Sequence, residues 1–134
     1  MKNLIKTLLI ITIISSIYSC TKDSEESLYH ANYLGNWQFT TTETELNTDS
    51  IGYYKHDTVV YNGNIKLGVD KSKIVITYMQ NNSITLDIDD NGTLSNFPSV
   101  HSGGKFIGND NLQLDLSWGG LGAFVTHKVS GVKQ

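Results

Sequence analysis

Asn111-Leu112-Gln113-Leu114-Asp115-Leu116-Ser117-Trp118 sets an apolar side chain at every second position and a polar one between each pair. Successive side chains of a strand point to opposite faces, so this octet reads as a β-strand with one face in a core and the other in water. A helix would scatter the same leucines around its circumference. The beat recurs in both directions from this stretch. Trp37, Phe39 and Thr41 alternate with Gln38, Thr40 and Thr42; Ile74, Ile76 and Tyr78 share a face; Ile84, Leu86 and Ile88 stand opposite Ser83, Thr85, Asp87 and Asp89. Ile65, Leu67 and Val69 give a shorter copy. One wet face per strand is the mark of antiparallel sheet.

Turn chemistry separates these runs. Asn62-Gly63, Asn81-Asn82, Asn91-Gly92 and Gly108-Asn109-Asp110 supply the positive-φ or Asx-type residues that tight hairpins use. The predicted strands lie near 35–44, 52–61, 63–70, 73–80, 83–90, 92–96, 104–108, 111–118 and 123–131. Strands joined in order by hairpins make an up-and-down meander, and closure into a barrel hides the apolar face and removes the edges. The fold class is therefore all-β: an antiparallel meander of about eight or nine strands closing into a small barrel, with a two-sheet sandwich as the alternative.

The first residues have another character. Lys2 and Lys6 precede an apolar run from Leu8 to Ile17, too short for a membrane span and suited to a secretory signal. The run ends in Ile17-Tyr18-Ser19-Cys20, which holds the single cysteine of the chain. This segment resembles the lipobox of bacterial lipoproteins. The resemblance implies that Cys20 receives a diacylglyceryl group, and usually an N-acyl chain such as palmitate, once residues 1–20 have acted as the signal. Two or more acyl chains hold a protein on a bilayer where one does not. The alternative is an incidental thiol in an ordinary cleaved signal. Residues 21–27 are polar and acidic and read as a flexible tether, with the barrel domain over 28–134. Acidic residues directly behind a lipidated cysteine resemble the surface-export signal of some diderm bacteria, which implies an outer-membrane or cell-surface location in the envelope.

Charge narrows the partners. The formal net charge is −3, and more negative once Lys2 and Lys6 leave with the leader. All ten basic residues are lysines, so the bidentate guanidinium grip on phosphate is missing. Nucleic acid is not an expected partner. The expected partners are the membrane, through the lipid anchor, and a small apolar ligand or an envelope protein.

Tyr33-Leu34-Gly35-Asn36-Trp37 resembles the Gly-x-Trp opening of the lipocalins and their calycin relatives. That resemblance implies that Trp37 plugs the closed end of a barrel whose cup holds a small apolar ligand. The chain departs from the family pattern in three ways. The arginine that stacks on the tryptophan is absent, leaving Lys128 or Lys133 to stand in. No Thr-Asp-Tyr motif follows in the second half, and no helix follows the last strand. The plainer reading of Trp37 is a core residue on a strand's inner face.

Other motifs carry less. Asp87, Asp89 and Asn91 match the first ligands of a calcium loop, but Pro98 stands where the closing glutamate belongs, and a hairpin turn explains the segment. His30, His56, His101 and His127 show no metal-ligand spacing and read as surface residues. His56-Asp57 and Ser99, His101 and Ser102 supply triad residue types without a nucleophile elbow. Gly119-Gly120-Leu121-Gly122 precedes no helix and so is a hairpin or a close backbone approach rather than a phosphate cradle. No cofactor and no catalytic group are expected. Recognition falls instead to two stretches: Ser50–Tyr61, carrying Tyr53 and Tyr54, and Asn96–Gly104, carrying Phe97. The expected function is a non-enzymatic binding module. The alternative is a closed platform whose loops bind a protein, as an inhibitor, immunity or envelope-assembly factor.

Overall fold

Period-two alternation becomes eight antiparallel strands in the computed structural model, which describes residues 30–47, 53–96, 99–120 and 122–134. A 3-10 turn at His30–Tyr33 leads into β1 (Gly35–Asn47) and β2 (Tyr53–Leu67). Then follow β3 (Lys73–Met79), β4 (Asn82–Ile88), β5 (Thr93–Asn96), β6 (Ser99–Ile107), β7 (Asn111–Gly120) and β8 (Ala123–Lys133). Each strand pairs with the next, and β8 returns to β1, closing a meander barrel compatible with a lipocalin-like one. The sandwich is excluded. Cys20, residues 21–27 and Phe97 lie outside the described residues. Among the described residues no helix is long and apolar enough to cross a membrane.

Two expectations about the strands are corrected. Asn62-Gly63 is not a hairpin: β2 runs unbroken through it, with Asn62 opposite Gln38 and Gly63 opposite Trp37. Gly63 is absent from the glycines with positive φ, so its use is space. A Cβ there would lie 1.9 Å from the Thr77 carbonyl oxygen, where β2 leaves β1 to join β3. Two predicted strands are therefore one, and the count is eight. The second correction is β6, which begins at Ser99, inside the stretch Asn96–Gly104 expected to carry recognition and ahead of the strand predicted at 104–108. Gly103 and Gly104 hide the rhythm, since a Cβ on either would meet the neighbouring backbone at 2.6 Å or closer.

Inward side chains fill the lower half of the barrel. Trp37, Phe39, Ile65, Ile74, Ile76, Leu86, Leu112, Leu114 and Leu116 are essentially inaccessible. Trp37 packs at this end, as an inward core residue of β1: its Nε1–H donates to the Tyr33 carbonyl at 2.9 Å, and Tyr33 stacks on Phe106 with centroids 3.9 Å apart. Lys133, rather than Lys128, takes the position beside it, opposite Trp37 in register and with its ammonium donating to the Asn32 carbonyl.

Thr41 interrupts this apolar face. It is fully buried and its hydroxyl has no hydrogen-bond partner among the described residues. An unpaired buried hydroxyl costs about 1–3 kcal/mol. Thr41→Val keeps the β-branched shape and removes that cost, so it should raise stability by about 1 kcal/mol, read as a higher urea midpoint at unchanged slope.

The upper half is less tightly laddered. β2 pairs with β3 only over Asn64–Leu67, and β4 pairs with β5 only through Asp87–Ser95 and Ile88–Leu94. The β3–β4 hairpin is thus joined to β2 over Ile74–Thr77 and to β5 only at its base, and its tip from Tyr78 to Ser83 is paired to neither neighbour. Its upper part stands as a flap.

Candidate functional site

Beneath that flap the inner face turns polar. β1 continues its alternation past Trp37, Phe39 and Thr41, so that Glu43 and Glu45 point inward too. His127 sits opposite Glu43 on β8, and Tyr78 projects from the upper end of β3. These residues meet across the barrel. Tyr78 Oη lies 3.0 Å from His127 Nδ1, and His127 Nε2 lies 3.1 Å from Glu43 Oε2. Lys55 Nζ donates to Glu43 Oε1 at 2.9 Å and reaches Asp57 at 3.3 Å.

Chemistry settles the direction of each bond. The Lys55 ammonium holds the Glu43 carboxyl below its ordinary range, outweighing the raising effect of partial burial. An ionised carboxylate can only accept, so His127 Nε2–H donates to it. In the neutral ring Nδ1 then accepts, and Tyr78 O–H donates. Burial, with the Glu43 charge added, pushes the Tyr78 phenol up to about 12. The bond from Tyr78 also ties the flap to β8 across the lumen, a function its 49-residue separation from His127 hides in the sequence.

Above this floor is a cavity of about 240 Å3 lined by Tyr78, Asn82, Trp118, Val125 and His127. The Trp118 and His127 rings make a T-shaped contact with centroids 4.8 Å apart, and Trp118 is 42% exposed, so its indole forms a wall open to solvent. Two larger grooves, of about 390 and 410 Å3, lie toward the Trp37 end along β1 and β2. They hold no buried ionisable group, whereas the smaller cavity brings a buried phenol and imidazole together under an aromatic wall.

A pH prediction follows from Tyr78. Its folded pKa is raised above the ordinary 10.0, so the associated stabilisation is complete below pH 10 and is lost between pH 10 and about 12. Alkaline difference absorbance should show a tyrosine class titrating near 12 that is missing from Tyr78→Phe. Identical titrations of the two proteins would refute the assignment.

The residues expected from the sequence are placed apart. Trp37 is a core residue of the lower end, fully buried and remote from the cavity. Tyr53 opens β2 opposite Asn47, and Tyr54 lies on the outer face, 62% exposed, opposite Leu46. Asp87 pairs with Lys73 at 3.2 Å, while Asp89 Oδ1 accepts the Asn91 and Thr93 amides at 2.9 and 2.7 Å. That is a hairpin turn, and no group of three or more His, Cys, Asp or Glu converges on a metal position among the described residues. His56 and Asp57, consecutive in β2, point to opposite faces, and the Ser102 hydroxyl bonds the backbone of Ser117. The reading of all four histidines as surface residues is corrected: His30 and His127 are buried. His127, Glu43, Tyr78 and Trp118 form no recognisable motif in the sequence, because they come from four different strands, β8, β1, β3 and β7. The available signal was parity, which puts Glu43 and Glu45 on the same strand face as Trp37, where carboxylates need a reason. In comparison with known proteins, the chain matches no family model, no curated protein and no solved structure.

Proposed function

We propose that this chain is a non-enzymatic binding module of a bacterial cell envelope, a lipoprotein anchored through Cys20 whose lipocalin-like barrel takes a small ligand in the cup under the β3–β4 flap. The observation that carries this reading is the cavity with Trp118 and Val125 as apolar walls and Tyr78, Asn82 and His127 as polar contacts. An apolar pocket with a few placed polar groups is the ordinary form of a small-ligand site. Its volume, about 240 Å3, suits a ligand the size of one substituted ring rather than a long lipid.

The same groups argue against catalysis. Both ring nitrogens of His127 are committed, and the Tyr78 phenol is pushed away from ionising at neutral pH. They are arranged to hold a shape. Native mass spectrometry of the full chain released from detergent should show a small adduct that Trp118→Ala loses, and Cys20→Ala should leave the membrane fraction. Retention of the adduct by Trp118→Ala would remove the cup from consideration.

A second reading, a platform for a protein partner, is favoured by one feature. Tyr54, Leu46 and Phe124 are direct cross-strand neighbours on the outer face of β2, β1 and β8, and each is 45% exposed or more. A row of apolar side chains in water is a usual component of an interface. Tyr54→Ala with Phe124→Ala should lose a co-purifying protein while keeping the small adduct, if this face is the one used.

A further inference from the structure

The cup is not neutral in its chemistry, and its unused charge indicates what it takes. One row above Glu43 and His127, the inner face carries Lys55, Glu45, Val125 and Trp118 in succession across β2, β1, β8 and β7. Val125 and Trp118 line the cavity, and Glu45 is the immediate neighbour of Val125 in register. Lys55 turns to Glu43 and Asp57. Glu45 makes no ion pair or hydrogen bond among the described residues. Among the described residues the rim therefore presents the unpaired Glu45 carboxylate and, two strands away, the half-exposed indole of Trp118. Adjacent strands lie about 4.8 Å apart, so roughly 10 Å separates the two backbones, and side chains from each can close on one small group between them.

We propose that the cup binds a small organic cation, an ammonium group on an apolar body, with the charge between the Glu45 carboxylate and the Trp118 ring. An ammonium is drawn to an indole face by its quadrupole and to a carboxylate by charge, and both attractions grow once water is displaced. Among the described residues an anionic ligand would meet Glu45, Glu43 and Asp57 against Lys55, and is excluded by the same charges. The apolar body fills the space against Val125, while Asn82 on the flap offers an amide to a polar substituent. This inference rests on the cup being a ligand site, and adds the class of ligand.

The test uses the full chain and the intrinsic fluorescence of Trp118; Trp37, the other tryptophan, is wholly buried and serves as a constant background. Three probes share one apolar body: 2-phenylethylammonium, 2-phenylethanol and phenylacetate. The ammonium should change the fluorescence at the lowest concentration, the alcohol at about tenfold higher, and the carboxylate not at all. Glu45→Gln should erase the preference for ammonium over alcohol while leaving alcohol binding unchanged, a control that also shows the variant to be folded. Trp118→Phe, followed by calorimetry, should weaken the ammonium more than the alcohol. Equal or tighter binding of the alcohol or the carboxylate by the native chain overturns the cation assignment and leaves the cup standing. Failure of all three probes to bind overturns the cup with it.

Discussion

Gly63→Ala should lose at least about 3 kcal/mol of folding stability, the upper part of the range for overpacking a finished interior. The added Cβ would lie 1.9 Å from the Thr77 carbonyl oxygen and 3.0 Å from the Phe39 ring. Neither neighbour can yield cheaply. Thr77 belongs to β3, where it is paired with Asn64, and Phe39 is fully buried between strands. Relief requires β3 to retreat from β2 along a ladder only four residue pairs long. The flap would then lose one of its two seams. Gly120→Ala is the control, since a Cβ there meets nothing within 4 Å, and its cost should stay below about 1 kcal/mol. Urea melts of the two variants decide the matter. A Gly63→Ala protein as stable as the Gly120→Ala protein would mean that β2 does not make this close approach.

Trp37→Ala should cost about 3–5 kcal/mol, the usual result of emptying a buried aromatic site. Trp37 is inaccessible to solvent. Its ring lies 6.3 Å from Phe39 and 5.8 Å from Phe106, centroid to centroid, and its Nε1–H fixes the Tyr33 carbonyl. Removing it leaves a void and an unpaired carbonyl, and frees the segment that leads into β1. Trp118→Ala removes the same side chain from a 42% exposed position, and should cost about 1 kcal/mol or less. The two tryptophans therefore separate stability from the proposed binding: Trp37→Ala should unfold early, whereas Trp118→Ala should stay folded and affect only the proposed cup. Equal urea midpoints for the two would contradict this division of labour.

The class of fold was legible because its signal is local. Leu112, Leu114 and Leu116 announce a half-buried strand within a few residues, and Gly92 and Gly108 do adopt the positive φ that their hairpins require. Strand count was less legible, because Asn-Gly is ambiguous: the same dipeptide that makes a hairpin can supply a bend without a side chain. Asn62-Gly63 is the second kind, and only the presence of β3 beside it shows why. The burial of Trp37 was readable too, from its place in the alternation with Phe39 and Thr41. The cup was not, since its parts come from distant places, with Glu43 and His127 separated by 84 residues.

What the chain carries in its own order is the alternation, the turns and the apolar inner face. Each depends on residues within a few positions of one another, where backbone geometry dictates the outcome. The Tyr78–His127–Glu43–Lys55 chain, the flap above it and the unpaired Glu45 carboxylate came from closure. Bringing β8 back onto β1 sets residues from both ends of the chain side by side, and which charges then find partners is a matter of distances across the barrel.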